Sequence, residues 1–222
     1  MSMPFYVPPE QLVKDRAEFA RKGIARGRSL VAMTYNGGVL IVAENTSRTL
    51  HKISEIYDRI AFASVGKYNE FELLRVAGIR HADLKGYMYS RQDVLGKSLA
   101  NAFAQTLGNI FTHEVKPYEI ELMLCELGNE NQEHRFFRIL YDGTLYDEIN
   151  FCAIGGQAEE LTESLENGWT ESMSLSAALA LGVSAFGGEA SDDRWEVAVL
   201  EAESDRRAFR RLDPAEATDL MS

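Results

Sequence analysis

The pattern of apolar residues between positions 27 and 45 predicts a central β-hairpin. Two apolar runs, residues 30–35 and 39–44, flank Asn36, Gly37 and Gly38. These three residues tolerate the positive φ angles that a tight hairpin turn requires. In both runs the even and the odd positions are apolar, which indicates strands covered on both faces. We therefore predict a sheet that is packed between other layers of structure.

A helix is predicted before the hairpin, over residues 9–22. Pro9 suits the first helical turn, and Glu10 lies at the positive end of the helix dipole. Basic residues lie at the opposite end, and Gly23 can terminate the helix. The apolar residues form only a modest stripe, so we expect this helix to lie on the surface or against a neighbouring molecule.

Downstream of the hairpin, the pattern predicts a second strand pair at residues 52–54 and 59–65, followed by a helix over residues 68–85. Ser90 and Asp93 then resemble a capping pair for a further helix. Apolar residues recur every three or four positions in that helix, which is the strongest helical pattern in the chain. They are Val94, Leu95, Leu99, Ala102, Phe103, Leu107, Ile110 and Phe111.

Strand patterns return after Pro117. Residues 119–126 alternate acidic with apolar side chains, which is the period of a strand with one face in water. Residues 134–141 and 144–151 flank an Asp-Gly pair, another hairpin signal. The remaining predicted elements are helices at 157–167 and 174–186 and closing strands at 194–201 and 207–212.

This order of elements predicts the fold class. Runs of strands alternate with pairs of helices, which favours an α+β fold over a parallel doubly wound sheet. We predict a four-layer αββα sandwich of two antiparallel sheets flanked by helices. Because no Pro, Gly or Ser-rich linker divides the chain, we predict one domain over residues 8–212. A mobile tail at 1–7 and a flexible acidic tail at 213–222 are expected to flank it.

Composition and charge narrow the class of protein. Hydrophobic residues make up 45% of the chain and charged residues 26%, as in ordinary globular domains. The net charge of -11 argues against a nucleic-acid partner. Cys125 and Cys152 lie within apolar runs, where reduced cysteines are buried as small hydrophobes. No secretory segment or membrane-spanning run is evident, so we expect a cytoplasmic protein without a membrane partner.

Signals for a cofactor or a metal are weak. Residues 91–98 end like a phosphate-binding loop, but Arg91 stands where the first glycine is required and the segment is predicted to be helical. The histidines lack paired ligand spacing. The late basic cluster at 206–211 better fits a solvated or interface surface. We expect no cofactor and no metal.

The stretch at 27–45 and the order of elements around it resemble proteasome core-particle subunits, which are members of the N-terminal-nucleophile hydrolases. That stretch reads Gly-Arg-Ser-Leu-Val-Ala-Met-Thr-Tyr-Asn-Gly-Gly-Val-Leu-Ile-Val-Ala-Glu-Asn. The resemblance covers nearly the whole chain. Residues 6–11, Tyr-Val-Pro-Pro-Glu-Gln, and residues 47–53, Ser-Arg-Thr-Leu-His-Lys-Ile, are similar to the α-type subunits of actinobacterial proteasomes. The fold implied is the sandwich predicted above.

The resemblance implies that the catalytic position is vacant. The β-type subunits of the family begin with a threonine whose amino group is the base for its own hydroxyl. Gly27 aligns with that threonine, and a helix precedes it. Ser29 is the nearest hydroxyl, but Arg28 precedes it where autolytic release favours glycine, so we expect an ordinary strand residue. Glu44 stands at the family's catalytic aspartate position. We expect no catalytic residue in this subunit of a threonine-type endopeptidase complex.

Lys52 is the binding residue that the resemblance implies. It aligns with the catalytic lysine of β-type subunits. In α-type subunits the corresponding lysine receives the C-terminal carboxylate of an activating ATPase, in a pocket between neighbouring subunits. A solvated lysine at the end of a strand is the alternative. Gly66 and Lys67 open the helix beside that pocket, and its N-terminus adds backbone donors for a carboxylate, although Lys67 could simply be solvated.

The resemblance also implies a heptameric ring of identical chains whose N-terminal tails close an axial pore. Its partners would be β-type subunits, a ring-shaped activating ATPase and unfolded proteins marked with a small ubiquitin-like modifier. Thr112, His113 and Glu114 would border the inner pore constriction, although the Tyr-Gly-Gly of archaeal subunits is missing there. The gate residues would be Met1, Ser2, Met3, Pro4, Phe5, Tyr6, Val7 and Pro8.

Two alternative functions stay open at this point. The first is a self-processing hydrolase of the same superfamily whose nucleophile lies elsewhere. The second is a stand-alone binding module, because residues 1–28 are basic and could hold an acidic partner. An intact N-terminal mass without hydrolysis would exclude the first alternative, and assembly into a ring would exclude the second.

Overall fold

The computed structural model of the chain describes residues 8–47, 49–129, 132–188, 194–202 and 207–221. Within these ranges the chain begins with helix α1 (Pro9–Ala25), which leads into a hairpin of strands β1 (Leu30–Tyr35) and β2 (Gly38–Glu44). The following elements, in chain order, are β3 (Ile53–Tyr57), β4 (Ile60–Gly66), α2 (Tyr68–Met88), α3 (Gly96–His113), β5 (Ile120–Glu126), β6 (Arg135–Ile139), β7 (Leu145–Glu148), β8 (Phe151–Ile154), α4 (Ala158–Gly168), α5 (Leu175–Ala185), β9 (Trp195–Glu201), β10 (Phe209–Leu212) and α6 (Pro214–Met221).

The predicted central hairpin is confirmed. Strands β1 and β2 pair antiparallel from Leu30 opposite Ala43 to Tyr35 opposite Gly38. The turn places Gly37 at a φ of 129° and Gly38 at 153°. A side chain on Gly38 would put its Cβ 1.9 Å from the carbonyl oxygen of Leu200, so glycine is needed there for the close approach of β9.

Two antiparallel sheets of five strands form the centre of the described structure. The first sheet has the order β10-β9-β2-β1-β8, and the second has the order β3-β4-β5-β6-β7. The interior strands β2 and β4 are buried over almost their whole length, and the uninterrupted apolar run of β2 predicts this burial. This burial requires a cover on both faces of each sheet.

The layers that cover the sheets confirm the predicted αββα sandwich. Leu30 and Met123 belong to an apolar layer that fills the space between the two sheets. On the outer face of the first sheet, Met33 packs in a cluster with α4, α5 and α6. On the outer face of the second sheet, Phe62 packs in a cluster with α2 and α3. Helix α1 closes one end of the inter-sheet layer with Ala20 and Ile24.

Helix α1 extends beyond its predicted end. It runs through Gly23 to Ala25, and the C-cap residue is Arg26. The prediction that Gly23 ends the helix is therefore wrong. A Cβ at Gly23 would lie 2.5 to 2.6 Å from side-chain atoms of Glu119, so the glycine serves the close packing of the helix rather than its termination.

The predicted strand at 144–151 is two strands in different sheets. Strand β7 pairs with β6 in the second sheet, and β8 pairs with β1 in the first. The chain changes sheets at Asn150, whose φ of 72° lies in the left-handed region. A continuous pattern of strand-forming residues does not show such a change of sheet, because both halves have the same period.

Strand β5 has no wet face, contrary to its alternating sequence. Glu121 is buried between the sheets, and its carboxylate accepts hydrogen bonds from Arg138 Nε at 2.5 Å and from the Gly155 amide at 3.0 Å. Burial outweighs the attraction of Arg138 and raises the pKa of Glu121. An acidic residue inside the sandwich is tolerated because its hydrogen bonds are satisfied.

Two further predictions differ from the structure. Ser90 caps a short 3-10 turn at Arg91–Asp93 by accepting a hydrogen bond from the Gln92 amide, and α3 starts only at Gly96. Residues 214–221 form helix α6, with Ala217 buried against α5, so the expected flexible tail is wrong for that segment. The expected mobile tail at 1–7 lies outside the described residues.

Candidate functional site

The start of β1 holds no accessible nucleophile among the described residues. The nitrogen of Gly27 is a peptide amide that donates a hydrogen bond to the Ile24 carbonyl at 2.8 Å, so no free amino group exists there. A Cβ at Gly27 would lie 2.9 Å from the backbone nitrogen of Gly66. A threonine therefore does not fit at this position. Ser29 is 1% exposed, and its hydroxyl accepts a hydrogen bond from the Gln157 amide at 3.1 Å.

Glu44 is held by arginines. Its Oε1 lies 2.7 Å from Arg28 Nη1 and 3.1 Å from Arg194 Nη1. These two ion pairs fix the position of the carboxylate. The geometry thus assigns Glu44 to a charge cluster beside the start of β1.

Lys52, the predicted first residue of the strand at 52–54, lies immediately before β3, which begins one residue later at Ile53. Its Nζ donates a hydrogen bond to the Arg28 carbonyl at 2.6 Å, which brings the ammonium group to the start of β1. Burial lowers the pKa of Lys52 to about 8, although the charges of Glu196 and Glu44 oppose this shift. A lysine in this environment has lost much of its hydration and still carries a charge at neutral pH.

Glu196 fixes the backbone that carries Lys52. The side chain of this β9 residue is buried, and its carboxylate accepts hydrogen bonds from the amide of Lys52 at 2.9 Å and of Ile53 at 3.1 Å. Asn45 Nδ2 donates a third at 2.7 Å, and Arg211 Nη2 lies 3.4 Å away. Sequence reasoning missed Glu196. The pattern that could have identified it is a single acidic residue in the interior of an apolar strand.

Gly66 and Lys67 lie where the sequence predicts, at the junction of β4 and α2. Gly66 has a φ of 111°, and a Cβ there would lie 2.0 Å from the Glu119 carbonyl oxygen. The Lys67 amide already donates to that carbonyl at 3.1 Å, so it is not a free donor. In the described hydrogen bonds, the amides of Tyr68 and Asn69 have no acceptor, which leaves them available at the N-terminus of α2.

The side chain of Lys67 is not simply solvated. Its Nζ lies 3.5 Å from Glu119 Oε2, while half of the side chain remains exposed. The segment Gly27–Arg28 contacts Gly66 on one side and Lys52 Nζ on the other. The structure thus brings the predicted residues Lys52, Gly66 and Lys67 to one region. Their role there remains a prediction.

Thr112, His113 and Glu114 lie at the C-terminal end of α3. Thr112 and His113 bond back to carbonyl groups of their own helix, and Glu114 is its C-cap residue. Arg16 of α1 donates hydrogen bonds to the carbonyl groups of Ile110 and Glu114. The helix end is therefore attached to α1, and whether it borders a pore remains a prediction.

The described residues also bear on metal binding and on insertion into a membrane. They contain no group of three or more His, Cys, Asp or Glu side chains placed to hold a metal ion. None of the described helices combines the length and hydrophobicity needed to cross a bilayer. Of the predicted gate residues, only Pro8 is described, and it is the N-cap of α1.

The fold and this site together define a class of protein. A four-layer αββα sandwich whose first strand follows a tight glycine junction has the architecture of the N-terminal-nucleophile hydrolases. The sequence model of the family described as "Proteasome subunit" matches residues 24–197. The chain therefore belongs to the proteasome subunit family.

Curated relatives agree over the full length of the chain. A protein named "Proteasome subunit alpha" from Xylanimonas cellulosilytica is 55% identical over 232 residues, covering 98% of this chain and 95% of the relative. Its namesake from Acidimicrobium ferrooxidans is 55% identical over 224 residues, covering 100% and 97%. A third, from Thermomonospora curvata, is 53% identical over 227 residues, covering 100% and 99%.

Proposed function

We propose that the chain is the non-catalytic α-type subunit of a proteasome core particle. It forms the outer heptameric ring, controls the access of substrates and receives activating ATPases. One observation carries this proposal: at the start of β1, Gly27 leaves no room for a nucleophile, while a desolvated Lys52 is retained beside it. The names of the full-length relatives support the α-type assignment.

The chemistry of the site suits a carboxylate ligand. Lys52 offers a compact positive charge that is already partly desolvated, which reduces the cost of forming a buried ion pair. The free amides of Tyr68 and Asn69 add donors at the positive end of the α2 dipole. We propose that the C-terminal carboxylate of an activating ATPase binds here, at Lys52, Gly66 and Lys67.

The gate is the second part of the proposal. Residues Met1 to Val7 precede α1, and docking of several activator C-termini is proposed to shift these tails from a closed to an open arrangement. Thr112, His113 and Glu114 are proposed to border the inner constriction. Individual contacts can be weak, because several simultaneous contacts raise the effective affinity by orders of magnitude.

The proposed partners follow from the same role. They are further copies of this chain, β-type subunits that carry an N-terminal threonine, a ring-shaped ATPase and unfolded, tagged substrates. The proposed location is the cytoplasm. The two described cysteines, Cys125 and Cys152, are both free and buried, which suits a reducing compartment.

Native mass spectrometry of the particle recovered with a tagged copy of this chain tests the assembly. We expect stacked rings that contain a partner with an N-terminal threonine. A monomer without such a partner would contradict the proposal and favour a stand-alone binding module.

The gate has its own test in the assembled particle. Deletion of residues 1–7 should raise the rate at which the particle hydrolyses a short fluorogenic peptide, because the tails no longer obstruct the pore. A matched particle with an inactivated β-type threonine controls for contaminating peptidases. An unchanged rate in the deletion variant would exclude a gating role for the tails.

A further inference from the structure

A compact ionic cluster links the N-terminus of α2 to helix α1 through the segment between α3 and β5. Glu70 of α2 accepts a hydrogen bond from Lys116 Nζ at 2.6 Å and another from the Glu119 amide at 2.7 Å. Lys116 Nζ also lies 2.9 Å from Glu119 Oε2. The segment 114–119 is thereby held firmly against α2, and Glu119 is placed between the proposed docking site and α1.

The carboxylate of Glu119 is shared unequally between two lysines. Lys116 approaches the Oε2 atom to 2.9 Å, whereas Lys67 remains at 3.5 Å. Although burial acts in the opposite direction, the hydrogen bond from Lys116 and the two positive charges lower the pKa of Glu119, so it is an anion at neutral pH. Lys67 is therefore the weaker partner, and its departure would leave Glu119 still paired with Lys116.

Glu119 also contacts α1 directly. A Cβ at Gly23 would lie 2.5 Å from Glu119 Oε1 and 2.6 Å from its Cβ and Cγ, so the glutamate side chain lies against the helix backbone. Lys116 lies 5.7 Å from the centre of the Phe19 ring on the same helix. A displacement of Glu119 changes the packing of α1, because no gap separates the two.

We propose that Glu119 is a positioning residue that competes with the activator's carboxylate for Lys67 and transmits docking to α1. This inference rests on the proposed docking function. Without an activator, Lys67 is paired with Glu119. When an external carboxylate takes Lys67, Glu119 turns toward Lys116 and its contact with Gly23 changes. Helix α1, which follows the N-terminal tail, then changes position.

The strength of the ion pair between Lys67 and Glu119 sets how much this competition changes the docking affinity. The ion pair between Lys67 and Glu119 is half-exposed on the lysine side, and such pairs contribute roughly 0.2–1 kcal/mol, which corresponds to about 1.4-fold to fivefold in an equilibrium constant. Removing the charge of Glu119 should strengthen docking by that factor. Because coupling is reciprocal, the same change should raise the open population without an activator.

The test uses the assembled particle with Glu119→Gln, which preserves the size of the side chain. The probe is a labelled peptide with the C-terminal sequence of the ring ATPase from the same organism, and its C-terminal amide is the ligand control. Glu119→Gln should bind the free-carboxylate peptide about 1.4-fold to fivefold more tightly and leave binding of the amide unchanged. Basal hydrolysis should rise, and the peptide should stimulate it by a smaller factor.

Matched variants separate competition from a general effect of charge. Glu72→Gln removes one negative charge from a side chain of α2 that pairs with Arg75, and it should leave both readouts at the wild-type value. In a Lys67→Met background, Glu119→Gln should no longer change the affinity. Gly23→Ala displaces Glu119 without altering its chemistry, and it should also raise basal hydrolysis.

Failure of the inference and failure of the proposed function give different results. If the peptide binds and stimulates the wild-type particle but Glu119→Gln and Gly23→Ala change neither affinity nor basal rate, the positioning role is wrong and docking stands. If the peptide does not bind the wild-type particle, the proposed docking function is wrong, and the inference is overturned with it.

Discussion

Replacement of Lys52 by methionine is the sharpest test of the docking site. Methionine keeps most of the length of the side chain and removes its charge. Among the described residues, the ammonium group has one hydrogen bond, to the Arg28 carbonyl at 2.6 Å, and burial has lowered its pKa to about 8. A docked carboxylate would supply a direct ion-pair partner for Lys52 in a site of reduced hydration.

The expected loss follows from that environment. Removing one partner of a buried, hydrogen-bonded charge pair costs about 2–5 kcal/mol. Lys52 is only partly buried, so we expect the lower part of this range, about 2–3 kcal/mol for each site, or roughly a 30-fold to 150-fold higher Kd. Fluorescence anisotropy of the labelled C-terminal peptide on the assembled particle measures this change. Lys97→Met, on the exposed surface of α3, is the matched control.

The pH dependence provides an internal check with a definite sign. Burial lowers the pKa of Lys52, so its charge is lost as the pH rises through about 8, and a neutral amine does not attract a carboxylate. Affinity in the wild-type particle should therefore fall about tenfold between about pH 7 and about pH 9, as the protonated fraction falls. Lys52→Met should remove this dependence. Wild-type affinity in the methionine variant, or a flat pH profile in the wild type, would refute the assignment.

Two predictions concern how the site is built. Gly66→Ala should lower the free energy of unfolding by several kcal/mol, because the new Cβ would meet the Glu119 carbonyl oxygen at 2.0 Å. Gly187→Ala is the control, since this glycine has a φ of 65° but open space around it, and it should lower the free energy of unfolding by only about 1 kcal/mol. Urea denaturation measures both values. Equal losses at the two glycines would contradict the close approach at Gly66. Glu196→Ala should destabilise the chain by about 2–4 kcal/mol, because the amides of Lys52 and Ile53 lose their acceptor, while Glu196→Gln should cost less since one amide oxygen remains. An alanine variant as stable as the wild type would show that Glu196 does not hold this segment.

Local patterns predicted the elements whose ends are marked by turn or cap residues. The β1–β2 hairpin and helix α5 have almost the predicted bounds, because glycines mark the turn and Ser174 caps the helix. In these segments the apolar pattern, the turn residues and the tertiary packing favour the same structure. The same agreement explains the correct fold class, since alternating groups of strands and helices allow few packed arrangements.

Prediction failed where a long-range contact decided the outcome. Gly23 continues a helix because Glu119, almost a hundred positions away, needs the space. Glu121 is buried because Arg138 and the Gly155 amide satisfy it, although its alternating sequence is typical of a wet strand. The acidic segment 214–221 is helical because Ala217 packs on α5. In each case the local sequence shows the residue itself, but the contact that decides its structure is made with a residue far away in the chain.

In the candidate site, too, some residues could be predicted from the sequence and others could not. Alignment to a family identified Lys52, Gly66 and Lys67, and the structure brings them together around Gly27–Arg28. It did not identify Glu196, which holds Lys52, or Glu119, which holds Lys67. Both acids lie far from these lysines in the sequence, so no local motif joins them.

The start of β1 explains how one fold can serve hydrolysis and recognition. A lysine beside an N-terminal nucleophile acts through its positive charge on a reacting group. The residues of the site, and not the fold, determine which function such a protein has. In this chain α1 precedes Gly27, the contact with Gly66 leaves no room for a side chain, and Lys52 Nζ donates instead to the Arg28 carbonyl. That hydrogen bond satisfies one of three ammonium protons. On the proposed function, a carboxylate ligand would accept hydrogen bonds from the other ammonium protons of Lys52. The absence of a nucleophile at Gly27 and the presence of a carboxylate site at Lys52 would then have the same structural origin at the start of β1.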